Sequence, residues 1–162
     1  MTESTTSAQV RHETIALGRS FEATPARVFA AFADDALRRR WVRMPGRVSA
    51  TEHDFRVGGG ERLEAEFAHP DGRIEHLLST LRYLAIEQDL RIVYGYESSV
   101  DQIVRWASLV TIELAPEGDG TRLDWTEQVA FLVPSGDGSA DLPHLRGGIA
   151  LRLNGLALAL AG

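Results

Sequence analysis

Glu127 is the carboxylate whose sequence neighbours make it chemically informative. In the run from Thr121 to Val133 it shares parity with Leu123, Trp125 and Val129, which puts it on the apolar side of a strand. A carboxylate removed from water must be paired, hydrogen-bonded or protonated to offset its desolvation. In a pocket, such a group is a polar anchor for a ligand or a general acid/base with a raised pKa. In a filled core it is a structural carboxylate paired with an arginine or with tyrosine hydroxyls. The pattern leaves both readings open.

Other residue types are weaker candidates. The histidines His12, His53, His69, His76 and His144 lie on separate elements, and none shows H-x-x-x-H or H-E-x-x-H spacing. A zinc site needs three or four converging ligands, so neither a metal nor another cofactor is expected. His69 precedes Pro-Asp-Gly and reads as a turn residue. A Ser–His–Asp triad would converge only in three dimensions, and no G-x-S-x-G elbow is present. The absence of cysteine excludes thiolate catalysis and disulfides. Gly58-Gly59-Gly60 is not followed by a helix, as a phosphate cradle would be. The alternation of Glu61 to Phe67 makes it a hairpin or bulge instead. Arg38-Arg39-Arg40 reads as the solvated side of a short helix.

The elements that must position these groups follow from periodicity. Residues 1–9 read as a disordered leader, because nothing there could offset the entropy of ordering it. A strand ends at Phe21, and Thr24-Pro25 then starts a short helix with a capping hydroxyl and a proline at its first position. Asp34-Asp35 caps a second helix that ends near Trp41. From Pro45-Gly46 onward the chain is strands and turns, with turn signals at His69-Pro-Asp-Gly72 and at Pro116 to Gly120. Ile92, Tyr94 and Tyr96 fall on one side of their strand. So do Val104, Trp106, Val110 and Ile112, and then Leu123, Trp125, Val129 and Phe131. One dry and one wet face of an antiparallel sheet fit this alternation. The run 74–86 carries apolar residues at both parities, so its facing stays open. Leu142, Leu145, Ile149, Leu153, Leu156 and Leu160 recur at three and four residues and define a C-terminal helix. The fold class is therefore α+β in one domain, residues 10–162.

Bulk properties exclude several function classes. A formal charge of −6 and the lack of a longer basic run speak against a nucleic-acid partner. The start of the chain lacks the pattern of a signal peptide, and the apolar tail is interrupted by Arg152 and Asn154, so no membrane association is expected and the location is expected to be cytoplasmic.

Five stretches resemble one known group. Ala23-Thr-Pro-Ala-Arg-Val-Phe29 is similar to the A-x-P-x-x-V-F start of the SRPBCC (START/Bet v 1-like) superfamily, and Trp41 falls where its second short helix ends. Asp54-Phe-Arg-Val-Gly-Gly-Gly60 resembles its D-x-R-V-G-G motif, and Gly118-Asp-Gly-Thr-Arg-Leu123 its G-x-G-T-x-L. Thr126-Glu-Gln128 with Phe131-Leu132 resembles the T-E-Q-x-x-F-L of the activator-of-Hsp90-ATPase-like (AHSA1 domain) family, in its bacterial single-domain form. Arg146-Gly-Gly148 departs from the Gly-Trp or Gly-Thr that opens the last helix of many relatives.

The resemblance implies a helix-grip fold, a curved antiparallel sheet wrapped around a long C-terminal helix, with two short helices after the first strand. It also implies a cavity for an apolar or aromatic small molecule. Trp41, Tyr94, Tyr96, Trp106, Trp125, Ile149 and Leu153 would line that cavity, and Glu127 would supply its polar contact. Two alternatives accompany it: a cyclase or dehydratase acting on a polyketide-like substrate in the same cavity, with Glu127 as candidate catalytic group, and a protein that modulates an Hsp90-type chaperone. A homodimer through spare aliphatic surface on the last helix is a further expectation.

Overall fold

The computed structural model describes residues 9–162, so the leader expected over 1–9 lies, save for Gln9, outside the described residues. The element order is β1 (Arg11–Phe21), α1 (Pro25–Ala33), α2 (Asp35–Trp41), β2 (Arg47–His53), β3 (Gly60–Ala68), β4 (Ile74–Glu87), β5 (Arg91–Val100), β6 (Ile103–Glu117), β7 (Gly120–Phe131) and α3 (Asp141–Ala161). The strands form one seven-stranded antiparallel sheet in the order β1-β7-β6-β5-β4-β3-β2. Strand β1 thus pairs with β7, from Arg11 opposite Phe131 to Phe21 opposite Thr121, and the rest of the sheet is a meander.

The helix starts form as their residues dictate. The Thr24 hydroxyl accepts from the Arg27 N–H at 3.3 Å, and Pro25 takes the first turn, where its missing N–H costs nothing. Asp34 serves both short helices: its N–H closes the last turn of α1, and its carboxylate accepts from the Leu37 N–H at 2.9 Å.

The helices cover the inner face of the sheet. On α3 the buried stripe is Leu145, Ile149, Leu153, Leu156 and Ala159, with Leu142 and Leu160 partly buried at its ends. These residues meet Phe29, Phe32 and Trp41 of α1 and α2 and the inward residues of the strands in one core. Gly155 lets α3 approach closely, since a Cβ there would sit 3.4 Å from the Trp41 carbonyl oxygen.

The facing of β4 is decided by a bulge. Leu81 and Tyr83 point inward up to a register shift between Tyr83 and Ala85, after which Ile86 returns to the core side. The extra residue inverts the parity, which is why the strand carries apolar residues at both. Among the described residues no helix is long and apolar enough to cross a membrane.

Candidate functional site

The inner face near β5, β6 and β7 carries a polar cluster inside an apolar frame. Glu127 has no exposed surface. The Tyr96 hydroxyl donates to its Oε1 at 2.5 Å, and the Trp125 indole N–H donates to its Oε2 at 3.2 Å. The Trp106 indole N–H in turn donates to the Tyr96 hydroxyl at 3.1 Å. Of the two structural partners open for Glu127 from sequence, the tyrosine hydroxyl is the one found. Among the described residues no cation lies within salt-bridge distance of it.

Electrostatics follow from this burial. Burial, reinforced by the neighbouring Glu127 carboxylate, pushes the Tyr96 phenol well above its ordinary range. Burial does the same to Tyr94, whose ring lies 6.3 Å from that of Tyr96. Ser108 of β6 stands opposite Tyr96 of β5 and opposite Val129 of β7. Its side chain is buried, and its hydroxyl has no hydrogen-bond partner among the described residues. Such an orphan is uncommon in a folded interior.

The eight residues expected at the site do not all play one part. Tyr96, Trp106, Trp125 and Glu127 are joined by hydrogen bonds, and Tyr94 adjoins them. Ile149 and Leu153 belong to the buried stripe of α3 in the same core. Trp41 stands apart from the polar cluster. Its indole N–H donates to the Ala31 carbonyl at 2.8 Å, and its ring packs edge-on against Phe32 at 4.8 Å, so its contacts are those of a core residue between α1, α2 and α3.

Two concavities lie elsewhere. One of about 420 Å³ is bordered by Leu90, Arg91, Glu113 and Leu114. The other, of about 490 Å³, spans β1, β6 and β7 around Thr14, Leu109 and Gln128. Neither is lined by any of the eight residues.

Sequence reasoning missed a second polar cluster, at the end of the sheet under α2. Arg38 is not on a solvated face as expected. Its side chain is buried and holds Glu61 of β3 through two hydrogen bonds, one from Nη2 to Oε1 at 2.8 Å and the other from Nε to Oε2. The reason is tertiary: β3 brings Glu61 under the helix, and a buried carboxylate requires the partner. Beside this pair, His53 Nδ1 meets Asp35 Oδ1 at 2.6 Å and His53 Nε2 meets the Tyr83 hydroxyl at 2.8 Å. The only sequence signal for this was the parity of Tyr83 with Leu81, obscured by the bulge. Among the described residues no group of three His, Asp or Glu side chains converges as a metal site would.

Comparison with known proteins agrees with this architecture. Residues 22–159 match the family described as Activator of Hsp90 ATPase homolog 1-like protein. No curated protein matches the chain. Among solved structures, a protein from Rhizobium leguminosarum is similar at 32% sequence identity with a TM-score of 0.81, over 94% of this chain and 97% of that one. A protein from Rhizobium loti is similar at 38% identity with a TM-score of 0.76, over 93% and 99%. A protein from Chromobacterium violaceum reaches 29% identity and a TM-score of 0.61, over 90% and 96%. With a helix-grip architecture over the described residues and a family match over most of its length, the chain belongs to the Activator of Hsp90 ATPase homolog 1-like family, within the SRPBCC superfamily.

Proposed function

We propose that the protein binds an apolar or aromatic small molecule between the sheet and α3, with the Tyr96–Glu127 cluster as its polar contact. The observation that carries this reading is incomplete burial of residues that face inward. Leu81, Tyr96, Trp106 and Leu142 all pack against the core yet stay partly open to solvent. Apolar walls with a few converging polar groups are what a small-molecule site needs. The unpartnered Ser108 hydroxyl next to Tyr96 supports a ligand with its own hydrogen-bonding oxygen or nitrogen. Entry would be beside Leu81 and Tyr96, which stand opposite each other on β4 and β5.

A second reading, an acid/base enzyme acting on a polyketide-like molecule in the same place, is favoured by a fully buried carboxylate, Glu127, that holds the Tyr96 hydroxyl.

The test is native mass spectrometry of freshly purified protein with a thermal-shift screen of lipids, flavonoids and polyketides. A ligand at about one hundred times its dissociation constant stabilises the fold by about 2.7 kcal/mol, a rise of roughly 5–10 °C. A clean apo mass together with a flat screen would count against binding. With a ligand in hand, Glu127→Gln separates the two readings: turnover abolished with binding retained marks the enzyme, and binding without turnover in either protein marks a carrier or sensor.

A further inference from the structure

We propose that Asp35, His53 and Tyr83 form a proton-transfer site on the inner face, with the Tyr83 hydroxyl as the group that meets a carbonyl-bearing ligand. The inference rests on the small-molecule reading above and adds a reaction class to it. Three elements supply one residue each: α2 gives Asp35, the end of β2 gives His53 and β4 gives Tyr83.

The hydrogen-bond partners suit one direction of transfer. The His53 hydrogen bond holds the Asp35 carboxyl below its usual range, so Asp35 is a carboxylate and accepts from His53 Nδ1–H. In the neutral imidazole with its proton on Nδ1, Nε2 accepts from the Tyr83 hydroxyl. Carboxylate, imidazole and hydroxyl stand in the order of a Ser–His–Asp triad, with a phenol in place of the serine. Burial disfavours the phenolate of Tyr83, so the phenol passes protons without ionising. A proton leaving the carbon next to a ligand carbonyl bonds to Tyr83 Oη as the phenolic proton moves to His53 Nε2. The ligand becomes an enolate, and the imidazolium is balanced by Asp35. Return of the proton to another ligand atom restores the chain and completes a tautomerisation. Tyr83 is the catalytic residue here, and His53 and Asp35 are positioning residues.

The glycine-rich segment after β2 also finds a purpose in this arrangement. The Gly58 N–H donates to the Tyr83 carbonyl at 2.9 Å, and the Tyr83 N–H donates to the Gly59 carbonyl at 3.0 Å. This clamps the main chain of Tyr83 at the bulge. The same segment places the partly buried Phe55 ring edge-on against the Tyr83 ring at 4.9 Å. The Tyr83 ring lies 6.1 Å from that of Tyr94, which adjoins Tyr96, so both polar clusters belong to one continuous inner surface.

The experiment follows exchange of the α-protons of 1-indanone and 1-tetralone in D2O by proton NMR, with binding of the same ketones read separately by tryptophan fluorescence. Wild-type protein is expected to speed exchange on the order of 10²-fold over buffer, and Tyr83→Phe and His53→Gln to return it to the buffer rate. Asp35 is exposed at the surface, so Asp35→Asn is expected to fold as the wild type does. It is expected to lower the exchange rate at saturating ketone at least about 10-fold with little change in half-saturation, and to move the His53 proton from Nδ1 to Nε2 in nitrogen-15 spectra. Exchange at the buffer rate in wild type, or an undiminished rate in Tyr83→Phe or Asp35→Asn, overturns the inference. Ketone binding without exchange overturns the relay alone, and absence of both counts against the binding reading as well.

Discussion

The Tyr96 hydroxyl donates to Glu127 Oε1 at 2.5 Å across two strands, in a place where Glu127 has no contact with solvent. The pair couples a half-buried aromatic on β5 to a carboxylate that is fully buried among the described residues. Its removal therefore tests both stability and site chemistry.

Tyr96→Phe leaves a carboxylate oxygen buried without its donor, at a cost of about 1–3 kcal/mol. Glu127→Gln turns an acceptor into a donor facing either Tyr96 or Trp125, with a loss of similar size. The double variant Tyr96→Phe/Glu127→Gln is expected to lose less than the sum of the singles, because both singles disrupt the same hydrogen bond. Urea unfolding of the four proteins measures the coupling.

Alkaline stability should track the tyrosines. The chain has three, and burial raises the phenols of Tyr83, Tyr94 and Tyr96 alike. The unfolded chain loses these protons near pH 10, while the folded one retains them. Their contribution is therefore complete below about pH 10 and lost as pH rises further, at up to about 1.4 kcal/mol per pH unit for each tyrosine. Absorbance at the tyrosinate band should rise cooperatively, together with loss of circular dichroism. A gradual rise in the still-folded protein would contradict this.

The Arg38–Glu61 pair should behave as a buried ion pair. Arg38→Met strands a buried carboxylate and costs about 3–5 kcal/mol. The combined Arg38→Met/Glu61→Leu change restores most of that loss, as read by chemical denaturation. If Arg38 were on a solvated face, Arg38→Met would change little.

Glycines at different places should respond with opposite sign. Gly147 and Gly148 lie within α3, and a Cβ at either meets open space. Alanine there should stabilise by up to about 1 kcal/mol each. Gly58 has a φ of 84°, so alanine there should cost roughly 1–2 kcal/mol. A Cβ on Gly60 would overlap the Leu81 carbonyl and disturb the pairing of β3 with β4. Thermal melts of the single variants give each sign directly.

Much of the fold is a matter of local pattern and was readable as such. Alternation through Ile92, Tyr94 and Tyr96, and through Leu123, Trp125 and Glu127, marks one side of a pleated strand as dry. The three-and-four spacing of Leu145, Ile149 and Leu153 marks one stripe of a helix. Thr24-Pro25 and Asp34 announce helix starts because their hydrogen bonds are made within a few residues. Glu127 was visible for the same reason, since its facing depends only on its own strand.

Partners distant in sequence were decided by the tertiary structure alone. Arg38 looked solvated because its helix is mostly polar; it is buried because β3 delivers Glu61 beneath it. His53 looked isolated because Asp35 and Tyr83 come from α2 and β4, and a hydrogen bond leaves no periodic trace in any of the three segments. The facing of β4 was unreadable because one bulged residue inverts the period-two pattern on which the reading depends. Periodicity records which side of an element meets apolar surroundings, whereas the choice of a specific polar partner depends on how the elements are brought together.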